Sequence, residues 1–328
     1  MEQKSLMKDT GEGRIDVAFT RDIRIKWDWN DLLEDAVTAE ENLNLTVAGL
    51  VLSRNAEISG RTLEKTMRQL GFDRIVSDNY RLSTETKNAV SKPARTFGYK
   101  AIEKDGKTYN VVCAVFKGTT TISDAITDIK SIKDGFLGGG QSCAASLREY
   151  ISGIDGADID NTILFITGHS LGAATANVVG RLSRELAHKN ASFVYTFASP
   201  NYETEGEFND GKKYPNFRYF TNEDDIVPDV PLRIRPHCFA KIGVEHLFNY
   251  HALESEQKQK FNRVYRYFRG MSFEEDTDLL GLEIKKTESL GFKALKNHLA
   301  HTYMSFIFSE LTDAEIEMYL GAGRISIL

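Results

Sequence analysis

The chain contains few cysteines and lacks any concentrated run of lysine and arginine. Its three cysteines, Cys113, Cys143 and Cys238, are widely spaced and odd in number, so they cannot all pair within one chain. No Cys-x-x-Cys spacing is present, which leaves the sequence without a zinc or redox motif of that kind. With 41 basic and 47 acidic residues the net charge is −6, and a nucleic-acid partner is therefore not expected.

Long apolar runs are also absent. No run approaches the roughly 18 residues that a membrane-spanning helix needs. Residues 1–13 are polar and lack the apolar core of a signal peptide. We therefore expect no transmembrane segment and a cytoplasmic protein, or a secreted one if a leader preceded this sequence. Hydrophobic residues at 41 % and charged residues at 27 % are typical of a globular protein with an ample core.

The pattern of apolar segments predicts alternating strands and helices. Strands are predicted at residues 96–102, 108–116, 162–167, 193–197 and 217–220, and helices at residues 32–54, 61–70 and 171–186. Asp105-Gly106, between the first two strands, predicts a tight hairpin turn. We interpret the three glycines at residues 138–140 as a flexible joint before an amphipathic helix. Alternation of strands and helices favours an α/β fold.

A candidate nucleophile lies where a predicted strand meets a predicted helix. The motif Gly168-His169-Ser170-Leu171-Gly172 begins at the end of the strand at residues 162–167. In a nucleophile elbow, two such glycines leave room for a strained turn that exposes the serine hydroxyl at a helix N-terminus. We therefore interpret Ser170 as the nucleophile, with a structural glycine turn as the alternative. His169 is a poor candidate for its base, because adjacent side chains at such a turn point in different directions.

A candidate acid and several candidate bases follow in the order Ser, Asp, His that is typical of α/β hydrolases. Asp224 and Asp225 come directly after the predicted strand at residues 217–220, and we choose Asp225 because the rigid Val227-Pro228 pair would hold it in place. Composition and order do not rank the histidines beyond it. These are His237, His246, His251, His298 and His301. Position near the C-terminus favours the cluster at residues 297–303.

A candidate oxyanion hole involves two backbone amides. One donor in α/β hydrolases is the amide after the nucleophile, here Leu171, and the second comes from a loop after an earlier strand. Residues 117–121 form such a hydroxyl-rich turn, which makes Thr119 the candidate for the second donor. The alternative is an ordinary strand-to-helix turn with a threonine cap.

Together these blocks resemble the class 3 lipases, a family typified by fungal triacylglycerol lipases and many bacterial relatives. The resemblance covers residues 94–306. It rests on Val115-Phe116-Lys117-Gly118-Thr119 with Asp124 and Asp128, Gly135-Phe136, Gly168-His169-Ser170-Leu171-Gly172-Ala173, Thr196-Phe197-Ala198-Ser199-Pro200, Asn222 with Asp225-Ile226-Val227-Pro228 and Pro231, and His298 with Tyr303-Met304. The last block is similar to that of the bacterial members. The chain departs from the family at Lys117, where arginine is usual, at Ala125, where tryptophan is frequent, and at Lys133-Asp134, where the family tends to have a histidine.

The resemblance implies an α/β-hydrolase fold, with a mostly parallel central sheet and helices on both faces. We expect a single domain over residues 1–328. Within it, residues 1–93 would be an N-terminal helical segment packed on the core, residues 94–306 the catalytic core, and residues 254–296 a helical insertion.

The resemblance also implies a serine hydrolase that cleaves carboxylic esters of lipids, as a triacylglycerol lipase or carboxylesterase. The implied triad is Ser170, Asp225 and His298, with Thr119 and Leu171 in the oxyanion hole. The helix at residues 122–132 is a candidate lid over an apolar acyl site. No metal or organic cofactor is expected, and the partners would be a small ester or lipid and, transiently, a lipid interface.

Two other functions stay open at this point. One is a non-catalytic α/β-hydrolase scaffold used for binding, because folds are reused without their chemistry. The other is a hydrolase or acyltransferase acting on a phospholipid ester, an aromatic acyl ester or a thioester.

Overall fold

The computed structural model describes residues 10–15, 23–28, 32, 42–81, 90–118, 136–188, 191–204, 213–230, 239–270, 273 and 296–321. The strands are β1 (Thr10–Ile15), β2 (Ile23–Asp28), β3 (Arg74–Asp78), β4 (Arg95–Lys104), β5 (Lys107–Phe116), β6 (Thr162–His169), β7 (Ser192–Phe197), β8 (Glu203–Thr204), β9 (Phe217–Asn222), β10 (Phe239–Ala240) and β11 (Val244–Phe248). The helices are α1 (Leu43–Ile58), α2 (Gly60–Gln69), α3 (Leu137–Ser152), α4 (Leu171–Ser183), α5 (Ser255–Arg269), α6 (Ala300–Ser309) and α7 (Asp313–Leu320). Short 3-10 helices lie at Arg184–Leu186 and Val227–Asp229.

Seven strands form the central sheet, in the order β11-β9-β7-β6-β5-β4-β3. Strands β5, β6, β7, β9 and β11 run parallel, and β4 and β3 continue the sheet antiparallel. The predicted α/β fold with a mostly parallel sheet is thus confirmed. The hairpin predicted between β4 and β5 is also present, and Asp105 and Gly106 at its turn both have positive φ, as a type I′ turn requires.

The sheet is buried on both faces. Side chains along a strand alternate between the two faces. Val111, Cys113 and Val115 of β5 accordingly pack in the core that includes α1, α2, α5 and α6, whereas Val112 and Ala114 pack in the core that includes α3 and α4. All eight residues of β6 are buried, because helices cover this central strand from both sides. Among the residues that the structure describes, no helix is long and apolar enough to cross a membrane.

The glycines at residues 138–140 do not form a joint, so that prediction was wrong. They lie in the first turn of α3. A Cβ on Gly139 would be 2.0 Å from the main-chain oxygen of Val90, and one on Gly140 would be 2.2 Å from Val178 Cγ1. The two buried glycines therefore allow α3 to pack closely against its neighbours.

Helix α1 is held against strand β6 by contacts of the Thr167 side chain. The Thr167 hydroxyl, on β6, donates to the main-chain oxygen of Gly49 at 3.1 Å, and a Cβ on Gly49 would be 3.0 Å from that hydroxyl oxygen. The Ser53 hydroxyl lies 3.0 Å from the same Thr167 oxygen. These contacts carry the C-terminal turn of α1 toward the end of β6.

Candidate active site

Ser170 lies at a sharp turn between β6 and α4. Its φ of 57° and ψ of −130° are rare for a residue with a side chain, and such strain is typical of functional turns. Its amide donates to the main-chain oxygen of Phe197 at 3.0 Å, which ties the turn to the neighbouring strand β7. The predicted strand-turn-helix context of Ser170 is therefore present.

The two glycines of the motif are required by close approaches of main chain. A Cβ on Gly168 would be 2.3 Å from the main-chain oxygen of Gly172. A Cβ on Gly172 would be 2.3 Å from that of Phe116 and 2.8 Å from the amide nitrogen of Gly118. Contacts under 3 Å are not tolerated, so any larger residue at these positions would push α4 away from β5 and β6.

Asp225 and His298 form a buried pair. His298 Nδ1 lies 2.8 Å from Asp225 Oδ2, and both side chains are fully buried. Two further donors hold the carboxylate. The amide of Val227 donates to Oδ1 at 3.0 Å, and the Tyr303 hydroxyl donates to Oδ2 at 2.8 Å. Asp225 thus presents a fixed acceptor to one nitrogen of the histidine ring.

The other candidate acid and bases lie in different surroundings. Asp224 is 39 % exposed at its side chain and lies 3.7 Å from Nε2 of the exposed His251. His246 Nε2 lies 3.1 Å from Glu310, and the His301 ring packs edge-on against Tyr265 with centroids 5.6 Å apart. His237 lies outside the described residues. Of the candidate bases that the structure describes, His298 is the one hydrogen-bonded to Asp225.

The two atoms that a proton relay would join are both buried. Ser170 Oγ and His298 Nε2 have no hydrogen-bond partner among the described residues. The segments that carry these two atoms are in contact, because Nε2 of His169, the residue before Ser170, lies 2.8 Å from the main-chain oxygen of His298. Nucleophilic catalysis needs a serine hydroxyl and a histidine nitrogen that can accept its proton, and these two atoms are the candidates for those roles.

Leu171 is the first residue of α4, where the first amides of a helix have no intrahelical acceptor. Gly118 lies beside the turn, since a Cβ on it would be 3.4 Å from Ser170 Cβ and 2.6 Å from the main-chain oxygen of His169. Gly118 therefore lies next to the serine. Thr119 itself and the predicted lid at residues 122–132 lie outside the described residues.

Sequence reasoning missed what two residues, Glu57 and Tyr303, contribute to this site. Glu57, near the end of α1, has Oε1 at 2.7 Å from His169 Nδ1 although the two are 112 positions apart. Burial acts to raise the pKa of Glu57, but the charges of His169 and Arg54 and their hydrogen bonds outweigh it and hold that pKa below its usual value. No local pattern in the sequence marks this glutamate. Burial and the adjacent Asp225 charge raise the pKa of Tyr303 well above its usual value, so its hydroxyl stays a donor.

Lys117, one of the departures from the family pattern, is also buried at this site. Burial lowers its pKa, and the charge of Glu57 partly opposes that effect. Among the described residues, no group of three or more His, Cys, Asp or Glu side chains could hold a metal ion.

Part of the chain matches a known family. Residues 107–234, which include β5, β6, α4 and the Asp225 segment, match the family model described as lipase (class 3). No curated protein matches the chain. The solved structures that match include the Rhizomucor miehei lipase in its propeptide complex, at 18 % identity and a TM-score of 0.40, covering 61 % of this chain and 68 % of that one. Residues 107–234 are thus similar to the class 3 lipases, and the mostly parallel central sheet is consistent with the α/β-hydrolase fold of that family.

Proposed function

We propose that this chain hydrolyses carboxylic esters of lipids through an acyl-enzyme on Ser170, with His298 as general base and Asp225 as its orienting acid. The observation that carries the proposal is the buried 2.8 Å contact between His298 Nδ1 and Asp225 Oδ2. With Nδ1 engaged, Nε2 is the ring nitrogen that can accept a proton. The order Ser, Asp, His along the chain supports the same assignment.

In the first half of the reaction, Ser170 Oγ attacks the ester carbonyl carbon while its proton passes to His298 Nε2. Asp225 holds the imidazole with its proton on Nδ1 and stabilises the imidazolium that forms. As the tetrahedral intermediate collapses, Nε2 returns the proton to the alcohol oxygen and the ester C–O bond breaks. The alcohol leaves, and the acyl group stays on Ser170.

In the second half, water replaces the serine hydroxyl as the nucleophile. His298 Nε2 takes a proton from the water as its oxygen attacks the acyl carbon, and then gives that proton to Ser170 Oγ. The acid is released and the serine is regenerated. One ester and one water yield one acid and one alcohol, with no change of oxidation state.

The negative charge that develops on the carbonyl oxygen must be stabilised by hydrogen-bond donors. We assign these to the Leu171 amide and to Thr119, whose hydroxyl would add to its own amide. The position of Leu171 at the start of α4 and of Gly118 beside Ser170 supports this assignment. Each such donor is worth about 3–4 kcal/mol of barrier when it is removed.

The substrate in this proposal is a triacylglycerol or a simpler carboxylic ester, bound at an apolar acyl site and taken up in transient contact with a lipid interface. The family match supports a lipid ester. From the sequence we also predict that residues 122–132 form a lid that covers the acyl site.

The test is hydrolysis of p-nitrophenyl esters from acetyl to palmitoyl by the wild type and by Ser170→Ala. We expect the variant to lose about 10⁴-fold or more in kcat, because the serine acts as one unit with its base. Its unfolding temperature should match that of the wild type. Ser142→Ala is the matched control, since Ser142 is an exposed serine on α3, and it should keep full activity.

The acyl-chain series separates the possible substrates. Activity that rises with chain length and disappears in Ser170→Ala supports a lipase, whereas activity only on the shortest esters indicates a small-substrate esterase. Activity that survives in Ser170→Ala overturns the assignment of the nucleophile. A folded protein with no activity and no labelling by a serine-directed phosphonate would be a binding scaffold instead.

A further inference from the structure

The side chain of His169, the residue before Ser170, bridges two distant parts of the chain. Its Nδ1 lies 2.7 Å from Glu57 Oε1, and its Nε2 lies 2.8 Å from the main-chain oxygen of His298. The side chains of His169 and Glu57 are 3 % and 7 % exposed. The rings of His169 and His298 pack with centroids 4.8 Å apart. One buried imidazole therefore connects helix α1 to the backbone of the proposed base.

The hydrogen-bond partners determine where the protons of His169 lie. A main-chain oxygen can only accept, so Nε2 carries a proton. Arg54 Nη1 lies 2.7 Å from Oε2 of Glu57, an ion pair that favours the carboxylate form of this side chain. A carboxylate also accepts hydrogen bonds. Both ring nitrogens of His169 therefore face hydrogen-bond acceptors.

These contacts argue against His169 as the general base, since both of its ring nitrogens are engaged by Glu57 and by the main-chain oxygen of His298. His169 is instead placed for a geometric role. His169 is joined to Ser170 by one peptide bond, and its Nε2–H holds the main chain of His298. Asp225 holds the ring of the same residue through Nδ1. His298 is thus fixed at two points, and the backbone contact comes from the nucleophile side.

We propose that His169 and Glu57 are positioning residues: Glu57 orients the His169 ring, which in turn sets the backbone of His298 relative to Ser170 and so the approach of Nε2 to Oγ. This inference rests on the proposed function, in which that approach carries the proton. A displacement of about 1 Å between reacting groups can cost about 10²-fold in rate. The effect should fall on kcat, because neither residue contacts the substrate.

Two variants at position 169 separate the two contacts. The amide of asparagine lies near the position of Nδ1, and that of the longer glutamine near the position of Nε2. His169→Asn therefore keeps a contact with Glu57 and loses the donor to His298, whereas His169→Gln keeps that donor. We expect His169→Asn to lower kcat about 10²-fold with KM little changed, and His169→Gln to recover most of the wild-type kcat. Thermal unfolding of both variants provides the measure of folding.

A second measurement reports the same positioning without substrate. The proton on His298 Nδ1, in its short hydrogen bond to Asp225, should give a low-field resonance in the proton NMR spectrum of the whole protein. We expect this resonance in the wild type and in His169→Gln, and its loss or broadening in His169→Asn.

The inference is overturned if folded His169→Asn keeps the wild-type kcat and the low-field resonance, or if both variants lose kcat equally. Failure of the proposed function gives a different result. In that case the wild type would not hydrolyse esters, or Ser170→Ala would remain active, while the resonance would still distinguish His169→Gln from His169→Asn.

Discussion

Asp225→Asn tests the proposed triad most directly, because all three groups around this carboxylate donate hydrogen bonds. Oδ1 accepts from the Val227 amide at 3.0 Å, and Oδ2 accepts from His298 Nδ1 and the Tyr303 hydroxyl, each at 2.8 Å. Asparagine keeps the shape of aspartate but replaces one acceptor oxygen by an NH₂ group that only donates. Either orientation of the amide therefore places two donors face to face.

Both orientations damage the proposed chemistry. With the amide nitrogen toward His298, the imidazole must place its proton on Nε2, and it can no longer accept the proton of Ser170. With the nitrogen toward Val227, the tautomer survives, but the charge that stabilises the imidazolium is gone. We expect kcat to fall about 10⁴-fold, equivalent to about 5.5 kcal/mol of transition-state stabilisation.

The assay is kcat and KM on the p-nitrophenyl ester that the wild type hydrolyses best. KM should change little, because Asp225 is buried behind His298 and does not face the substrate. Asp224→Asn is the matched control, since Asp224 is partly exposed and outside the proposed machinery, and it should keep wild-type activity. A folded Asp225→Asn enzyme with near wild-type kcat would refute the role of this residue, and a loss in Asp224→Asn alone would move the acid by one position.

Three further predictions concern stability. Tyr303→Phe removes a buried donor to the Asp225 carboxylate and should lower the free energy of unfolding by about 1.5–3 kcal/mol, measured by urea titration; an unchanged midpoint would contradict this. Gly168→Ala places a Cβ 2.3 Å from a main-chain oxygen and should prevent native folding, whereas Gly138→Ala, in the open first turn of α3, should be neutral or stabilising by up to about 1 kcal/mol; circular dichroism and thermal melts would show the difference. The lowered pKa of Glu57 means that its carboxylate stabilises the fold above pH 4.5, and that this contribution is lost as the pH falls through the folded-state value. Glu57→Gln should therefore flatten the acid limb of the stability curve below pH 4.5, where one proton contributes at most about 1.4 kcal/mol per pH unit; an acid limb identical to the wild type would be the contrary result.

The fold was largely predictable where the information is local. The continuous apolar run of β6 indicated a central strand, and Asp105-Gly106 specified the β4–β5 turn through the backbone angles that those residues tolerate. The end of α1 was not predictable in this way. The helix was expected to stop at residue 54, yet it continues to Ile58, because Asn55 donates to Thr66 and Glu57 pairs with His169 in the interior. Polar residues near the end of α1 therefore extend the helix by forming hydrogen bonds with side chains outside it, which the local pattern of apolar residues does not predict.

The sequence by itself determined the class of fold, the elbow at Ser170 and a short list of acids and bases, because periodicity, glycine spacing and chain order are properties of neighbouring residues. The sequence favoured Asp225 over Asp224, and the family resemblance implied His298. Only the tertiary structure showed that these two side chains are hydrogen-bonded, that His301 packs on Tyr265, and that His169 is engaged by Glu57. These contacts join residues 73 and 112 positions apart in the two hydrogen-bonded pairs. The physical reason is that a hydrogen bond depends on the distance and direction between two groups in the folded chain. The packing of α1 and α6 against the sheet that contains β6 sets both.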